Sequence, residues 1–363
     1  MKKVERVLVL RPDGIGDCII FSGAFKWIRR HWESARIDLV VQARAKPLFE
    51  FCPHVDRVMT TDRLAPWEAV RRHVERGSWR LESLLLSAGI RKLWYPGYDV
   101  VMYPVSAPVE NWLKAVRLIS AEEKMGYTGE QLRILELEDA RNQPEAVFTR
   151  SFENMASNRW LHESLRSQQF LAAMGITAED MHPELWLSDE DRAFGQAHVP
   201  DGSSSFFVGA GSAWRQWPGD KWRELADALD DENSVVVLGT ESDGHFARTL
   251  QQQCRPGKQV IDLTGKTTLR QLAACISRCR AVVSNDSSGL HMAVALNVPA
   301  VGLMGGYHFG RYYPWGNAEI HRTANVKMDC YYCNDDCIYH DWRCVRDIPV
   351  DTVLNEFRRI GVS

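Results

Sequence analysis

The sequence lacks any long apolar run. Near its start, the apolar residues Val7–Leu10 are followed at once by Arg11, Pro12 and Asp13. A membrane-spanning helix needs about 20 largely apolar residues, and the apolar core of a signal peptide needs at least about seven. We therefore expect a cytoplasmic protein. The sequence leaves open a peripheral contact with the inner face of the inner membrane.

An excess of positive charge is also missing. The 44 Lys and Arg residues nearly balance the 47 Asp and Glu residues, which gives a formal net charge of −3. Proteins that bind nucleic acid usually carry a basic surface, so we expect no nucleic-acid partner. No tandem repeat or low-complexity tract interrupts an ordinary globular composition. The sequence is compatible with an oligomer.

Short apolar runs alternate with helical patterns along most of the chain. Runs that are apolar on both sides and separated by helices are typical of parallel strands covered by helices on each face. They predict strands at 5–11, 37–43, 55–60, 98–105, 203–210, 234–239, 259–265, 280–286 and 298–305. The pattern predicts the α/β class with doubly wound, Rossmann-like sheets, interrupted by helical stretches at 61–96 and 144–181.

The length predicts more than one domain. A chain of 363 residues exceeds what one hydrophobic core usually organises. A polar segment at 190–200 is the best candidate for a linker, which predicts domains at 1–195 and 196–345. Residues 346–363 contain an amphipathic helix that we expect to brace the two domains.

The first candidate site follows the first strand. Gly14 and Gly16 allow a tight turn, but a dinucleotide site would need a third glycine where Ile19 stands. Asp17 would lie at the carboxyl edge of the sheet, where ligands bind in open α/β folds. It could act there as a general base, or it could only cap the helix that follows.

Two turns in the second half are also compatible with a bound phosphate, and a third carries a candidate ribose ligand. Arg215 precedes a helix and could bind a diphosphate, or it could be an ordinary surface arginine. The turn after the strand at 280–286 would offer helix N-terminal amides and small hydroxyl groups to a phosphate, with a histidine nearby. Its candidate residues are Asp286, Ser287, Ser288, Gly289 and His291. Glu241, just after another strand, could accept hydrogen bonds from a ribose or cap a helix.

With these residues assembled, the chain resembles glycosyltransferase family 9, the ADP-heptose:lipopolysaccharide heptosyltransferases and their relatives. The resemblance covers nearly the whole length and is carried by RPDGIGD, GSAWRQWPGDKW, LGTESD and the block that contains SNDSSGLHMAVAL. It implies two facing Rossmann-like domains (the GT-B arrangement), with the acceptor on the first and a nucleotide sugar on the second. It further implies that ADP-heptose is the donor.

The resemblance also assigns roles to residues. It implies that Asp17 is the catalytic base, that the Asp286–His291 turn binds the donor phosphates and sugar, and that Glu241 binds the ribose. Arg215 stands where the family usually has lysine. The implied reaction is a single displacement with inversion at the anomeric carbon. No Asp-x-Asp motif accompanies the phosphate turns, so we expect catalysis without a metal ion or other cofactor.

Two other functions stay open. A nucleotide-sugar epimerase of similar architecture would need no acceptor, and a nucleotide-sugar binding protein would have kept the fold without catalysis. For a transferase, the sequence does not choose among a lipopolysaccharide core, a protein and a small molecule as the acceptor.

Four of the nine cysteines are crowded into one short segment. Cys330, Cys333, Cys337 and Cys344 form a Cys-x2-Cys-x3-Cys-x6-Cys array. Four thiolates could enclose zinc, or hold iron or an iron–sulfur cluster, in a closed structural site. The alternative is four reduced thiols in a compact loop.

Overall fold

The structure, a computed structural model, describes residues 3–61, 97–129, 140–153, 160–229 and 234–361. The chain forms two compact units, Met1–Met181 and His182–Ser363. Each unit contains one parallel six-stranded sheet. The helical stretch predicted at 61–96 lies outside the described residues.

The first unit is built on a sheet with the strand order β3-β2-β1-β4-β5-β6. Its strands are β1 Arg6–Arg11, β2 Arg36–Val41, β3 Arg57–Thr60, β4 Tyr98–Tyr103, β5 Ala121–Thr128 and β6 Arg150–Glu153. Its α-helices are α1 Ile15–Ser22, α2 Ala24–His31, α3 Glu110–Leu118, α4 Pro144–Val147 and α5 Glu163–Ala173. Two 3-10 helices, Ala43–Phe49 and Ala140–Asn142, complete the described elements.

The second unit is built on a sheet with the order β12-β11-β10-β7-β8-β9. Its strands are β7 Ser204–Phe207, β8 Val235–Leu238, β9 Val260–Asp262, β10 Ala281–Asn285, β11 Ala300–Leu303 and β12 His321–Ala324. The α-helices of this unit are α6 Asp189–His198, α7 Gly219–Ala228, α8 Gly244–Gln253, α9 Leu269–Arg278, α10 Ser288–Ala295, α11 Arg343–Arg346 and α12 Val350–Arg359. Short 3-10 helices lie at Ala213–Arg215 and Glu241–Asp243.

The two sheets share one topology. Counted along the chain within each unit, both run third, second, first, fourth, fifth and sixth strand, with parallel neighbours throughout. This is the order of the doubly wound dinucleotide-binding fold, in which the chain reverses direction across the sheet beside the first strand. The predicted fold class, two Rossmann-like units of α/β type, is confirmed.

Three strands were absent from the sequence prediction, and each has a physical reason. β6 and β12 lie at sheet edges, where one side of the strand meets solvent and polar residues such as Arg150 and Arg322 are tolerated. β5 begins with charged, partly exposed residues, and its apolar part starts only at Met125. The stretch 144–181, predicted as largely helical, therefore contains β6 between α4 and α5.

The core of the second unit lies between its sheet and the covering helices. Trp217 and Trp222 are fully buried beside the apolar face of α12, which contributes Val353 and Phe357. Burying one large apolar side chain contributes about 1.5–3 kcal/mol to folding. The apolar face of the C-terminal helix α12 therefore packs into the core of the second unit. That this helix braces the two domains stays a prediction.

The division between the units falls earlier than the predicted boundary at 195/196. Helix α6 belongs to the second unit because it packs on α9. The Nε of Arg270 donates a hydrogen bond to Asp191 Oδ2 at 2.8 Å. A Cβ atom on Gly195 would lie 2.7 Å from the carbonyl oxygen of Ala274, so the two helices touch backbone to backbone.

We expect Gly195→Ala to lower the free energy of unfolding by about 1–3 kcal/mol, the usual cost of overpacking. The added methyl group would meet backbone atoms of α9, which have little freedom to move. Helix propensity alone predicts the opposite sign, a gain of about 1 kcal/mol. Urea unfolding followed by circular dichroism measures the change, with Gln196→Ala, exposed on the same helix, as the control. A stabilised variant would show that α6 and α9 lie farther apart.

Candidate functional site

The carboxyl end of β1 carries a buried charge cluster. Arg11, the last residue of the strand, is 6% exposed and forms an ion pair of 2.5 Å with Asp13. Its Nη1 donates a hydrogen bond to the carbonyl oxygen of Pro104, and its Nη2 donates one to the backbone oxygen of Asp17 at 3.2 Å. The guanidinium thereby fixes the turn after β1 against the end of β4.

The pKa of Asp13 lies well above that of an ordinary aspartate. Burial raises its pKa to about 7, and the negative charges of Asp17 and Glu163 act in the same direction, whereas Arg11 opposes them. Glu163 opens α5 and accepts a hydrogen bond from Ser106 Oγ at 3.2 Å. A carboxyl group with a pKa near 7 exchanges its proton at neutral pH, which is typical of functional sites.

Asp17 lies in the first turn of α1, as predicted. Its Oδ2 accepts a hydrogen bond from the Gly14 amide at 3.2 Å, so the residue caps the helix. A Cβ atom on Gly14 would come within 2.9 Å of the same oxygen, which explains the small residue there. Gly16 follows within α1. The helix N-terminus favours the charged form of the Asp17 carboxylate, so capping is compatible with a role as a base.

Sequence reasoning missed Arg11, Asp13 and Glu163 as members of this site. Arg11 reads as an ordinary strand end, and Glu163 is far from the turn in sequence. The available signal was the pair Arg11 and Asp13, which follows the apolar run Val7–Leu10. A charge at the end of a buried strand needs a partner.

In the second unit, the predicted donor residues follow three neighbouring strands, β8, β7 and β10. The guanidinium carbon of Arg215 lies 4.7 and 4.8 Å from the ring centroids of Trp214 and Tyr307, which also contact each other. Its Nη1 lies 3.8 Å from Asp286 Oδ2. The hydroxyl group of Tyr307 donates a hydrogen bond to the same carboxylate oxygen at 2.8 Å. The structure thus brings Arg215 and Asp286 together.

One buried amide joins these turns. Asn285, at the end of β10, is fully buried. Its Nδ2 donates a hydrogen bond to the carbonyl oxygen of Val208 after β7, at 2.6 Å. Its Oδ1 accepts a hydrogen bond from the Trp217 amide at 3.0 Å. The side chain fixes the ends of two strands and the turn that carries Arg215.

The N-terminus of α10 presents the other predicted residues. Ser287 is the N-cap residue, and Ser288 and Gly289 begin the helix. A Cβ atom on Gly289 would lie 2.6 Å from the ring of Phe207, so only glycine lets the helix approach β7 this closely. His291 is 5% exposed, and its Nδ1 accepts a hydrogen bond from the indole nitrogen of Trp315 at 3.2 Å.

Glu241 lies on the turn after β8 and is exposed. The buried acid of that turn is Asp243, which sequence reasoning did not select. Its Oδ2 accepts a hydrogen bond from the Thr240 amide at 2.7 Å, and its Oδ1 accepts one from Gln216 Nε2 at 3.4 Å. Asp243 therefore links this turn to the one that carries Arg215, which leaves Glu241 open to solvent.

The four clustered cysteines lie in the segment Cys330–Cys344, here called the cysteine loop, which is irregular up to Trp342 and places Cys344 in α11. All four are free thiols. Burial raises the pKa of Cys333 and Cys344, and the neighbouring thiols of the loop add to the shift in both cases. Within the described ranges, however, no three His, Cys, Asp or Glu side chains are arranged as metal ligands.

The sequence model of glycosyltransferase family 9 (heptosyltransferase) matches residues 130–338, more than half of the chain. The chain belongs to this family. The chain is similar to lipopolysaccharide heptosyltransferase 2 of Escherichia coli K12, with 24% identity over 309 residues, which are 83% of this chain and 82% of that protein.

Solved structures of other proteins share the fold. The glycosyl transferase family 9 protein from Veillonella parvula superposes with a TM-score of 0.78 at 19% identity, over 99% of this chain and 98% of that one. The dodecameric iron-containing heptosyltransferase TibC, solved with ADP-D-beta-D-heptose, gives a TM-score of 0.58 at 12% identity. This match covers 100% of the present chain and 78% of the TibC chain. In the part of this family 9 chain that is described, every helix is too short or too polar to span a membrane.

Replacing Asn285 by alanine is expected to destabilise this family 9 protein by at least about 2 kcal/mol. The change leaves two buried backbone groups unpaired, the Val208 carbonyl and the Trp217 amide, at about 1–3 kcal/mol each. Thermal and urea unfolding measure the loss. Asn355→Ala, exposed on α12, is the matched control. Equal stability of the two variants would mean that the amide does not hold the turns.

Proposed function

We propose that the chain transfers a heptose from ADP-heptose to a hydroxyl group of an acceptor, with inversion at the anomeric carbon. The observation that supports this most is the anion-binding arrangement in the second unit. There the guanidinium of Arg215 and the N-terminus of α10 lie at the carboxyl ends of β7 and β10, the two strands between which the sheet topology reverses. Nucleotide phosphates bind at this position in doubly wound folds.

The second unit would hold the donor. Arg215 would donate two hydrogen bonds to the diphosphate. The backbone amides of Ser288 and Gly289 would donate hydrogen bonds to the same anion at the helix N-terminus. Asp286 and His291 would contact the sugar or its phosphate, and Glu241, exposed after β8, would bind the ribose. TibC, a structural relative, was solved with ADP-D-beta-D-heptose, which is our reason for choosing this donor.

The first unit would hold the acceptor, with Asp17 as the general base. The hydrogen bond from the Gly14 amide would orient this carboxylate. Asp17 would take the proton of the acceptor hydroxyl while that oxygen attacks the anomeric carbon. The bond from that carbon to the donor phosphate breaks on the opposite face, and ADP leaves. Arg215 would stabilise the negative charge that develops on the leaving phosphate.

Arg11 and Asp13 would set the electrostatics around this base. The buried Arg11 holds the backbone of Asp17 in place and offsets the negative charge of three acids. Because Arg215 and helix amides already provide for the diphosphate, we propose that catalysis needs no divalent ion. The name of the Escherichia coli relative is our reason for proposing the lipopolysaccharide core as the acceptor class.

Asp17→Asn should reduce turnover by at least about a hundredfold, the usual scale of general-base catalysis. Donor affinity should change little, since Asp17 is assigned to the acceptor. The assay offers ADP-, UDP- and GDP-linked sugars together with a lipopolysaccharide-core acceptor, in the presence of EDTA. Asp13→Asn, in the same turn, is the comparison and should reduce turnover less.

The outcomes separate the alternatives. If Asp13→Asn abolishes turnover and Asp17→Asn does not, the base is Asp13. Conversion of a donor sugar without any acceptor would favour an epimerase. Donor binding without conversion would favour a binding protein. Loss of activity in EDTA that a divalent ion restores would contradict metal-independent catalysis.

We further propose that the cysteine loop binds one structural metal centre, zinc, iron or an iron–sulfur cluster. Four neighbouring thiols are the donor set that these centres prefer, although their present positions do not form a ligand shell. TibC, which has the same fold, is described as iron-containing. All four ligand positions would be sulfur, so the centre would stabilise the loop rather than bind substrate.

Anaerobically purified protein should contain about one metal centre per chain by elemental analysis. Cys333→Ser or chelation should lower the melting temperature, because metal bound only by the folded state contributes to its stability. Cys254→Ser, outside the loop, is the control and should retain the metal. A metal-free protein with four titratable thiols and an unchanged melting temperature would contradict the proposal.

A further inference from the structure

The cysteine loop reaches the cation of the proposed donor site. Asp335, between the second and third cysteines of the loop, places its Oδ1 3.5 Å from Nη2 of Arg215. The same carboxylate has its other oxygen 3.6 Å from Nε2 of His308. A loop that carries a candidate metal site thus also supplies an anion to the residue assigned to the donor diphosphate.

The position of Asp335 is set by contacts on both sides of it. The Tyr332 amide donates a hydrogen bond to the carbonyl oxygen of Gly306 at 2.7 Å, and the Asn334 amide donates one to that of Tyr307 at 3.2 Å. Farther along the loop, the ring of Trp342 stacks on Trp214 with centroids 3.7 Å apart. These contacts hold the loop against the turn after β11, next to Arg215.

Arg215 is paired with two carboxylates, but loosely. Its distances to Asp286 and Asp335 are 3.8 and 3.5 Å, whereas a strong bond between a guanidinium and a carboxylate measures about 2.8 Å. Its Nε is buried and has no hydrogen-bond partner among the described residues. The guanidinium therefore retains donors for an anion that fits its fork better than either carboxylate does.

The two carboxylates differ in how firmly they are held. Asp286 has a side chain that is 6% exposed, and it accepts the hydrogen bond of Tyr307. Asp335 has a side chain that is 39% exposed and lies on an irregular loop. An incoming diphosphate carries at least two negative charges, so a carboxylate must give way, and Asp335 is the one free to do so.

We propose that Asp335 is a counter-ion that the donor diphosphate displaces from Arg215. Without donor, it keeps a largely buried cation paired, since an unpaired buried charge is costly. When the diphosphate binds, Asp335 leaves the guanidinium, so this residue sets the affinity of the site for its anion. The inference rests on the proposed function in one respect, the assignment of Arg215 to the diphosphate.

The test compares the binding of inorganic pyrophosphate and of ADP to the full chain, by calorimetry. Asp335→Asn should tighten the binding of both about three- to fivefold, as expected when a partly exposed competing charge is removed. Asp336→Asn is the matched control, because it makes the same charge change at the next, exposed residue of the loop. It should leave both dissociation constants within about a factor of 1.5.

A gain in affinity cannot come from a damaged fold, so the direction of the change is diagnostic. In an Arg215→Ala background, Asp335→Asn should have no further effect, because the pair no longer exists. Equal or weaker binding by Asp335→Asn, the same gain with Asp336→Asn, or no pyrophosphate binding by any variant would each overturn the inference. If pyrophosphate shows the gain while no nucleotide sugar is turned over, the proposed function fails and the counter-ion role stands.

Discussion

The geometry of the second unit's site depends on one buried side chain, the amide of Asn285. A carboxamide carries both an acceptor oxygen and a donor nitrogen, so one side chain accepts from the Trp217 amide and donates to the Val208 carbonyl. By doing so it ties the end of β7 to the turn of Arg215, and it directly precedes Asp286 in the chain. Any displacement of β10 therefore moves the cation and its carboxylate partner together, which preserves their spacing.

The two sheet edges carry opposite chemistry although they share one topology. After β1, three acids surround a single buried cation, and burial brings the pKa of Asp13 close to neutrality. After β7 and β10, a guanidinium and a helix N-terminus favour anions. A transfer reaction needs a proton acceptor at the attacking oxygen and a stabilising charge at the leaving one. The proposed function assigns one requirement to each edge, and the two edges share one backbone plan and differ in their side chains.

Most of the strands that could be predicted from the sequence are buried on both faces, although the edge strands β3 and β9 were predicted as well. β1 and β10 could be recognised because their central residues are apolar. The turns that follow them then predicted Asp17 and Asp286 at the sheet edges. β6 and β12 could not be recognised, since an edge strand satisfies polar residues with water. The proximity of Glu163 to Arg11 and Asp13 was hidden for another reason. It joins residues that only the tertiary fold brings together, as does the contact between Arg215 and Asp335.

Within the described residues, the strands of each sheet all come from one half of the chain. During synthesis on a ribosome, the first sheet can therefore close before any strand of the second has been made. The second sheet is different, because its core is completed only by α12, more than 60 residues after the turn that carries Asp286. The apolar strands of the second half therefore stay partly uncovered until this helix has been synthesised. Chaperone binding during synthesis would accordingly concentrate on the second half of the chain.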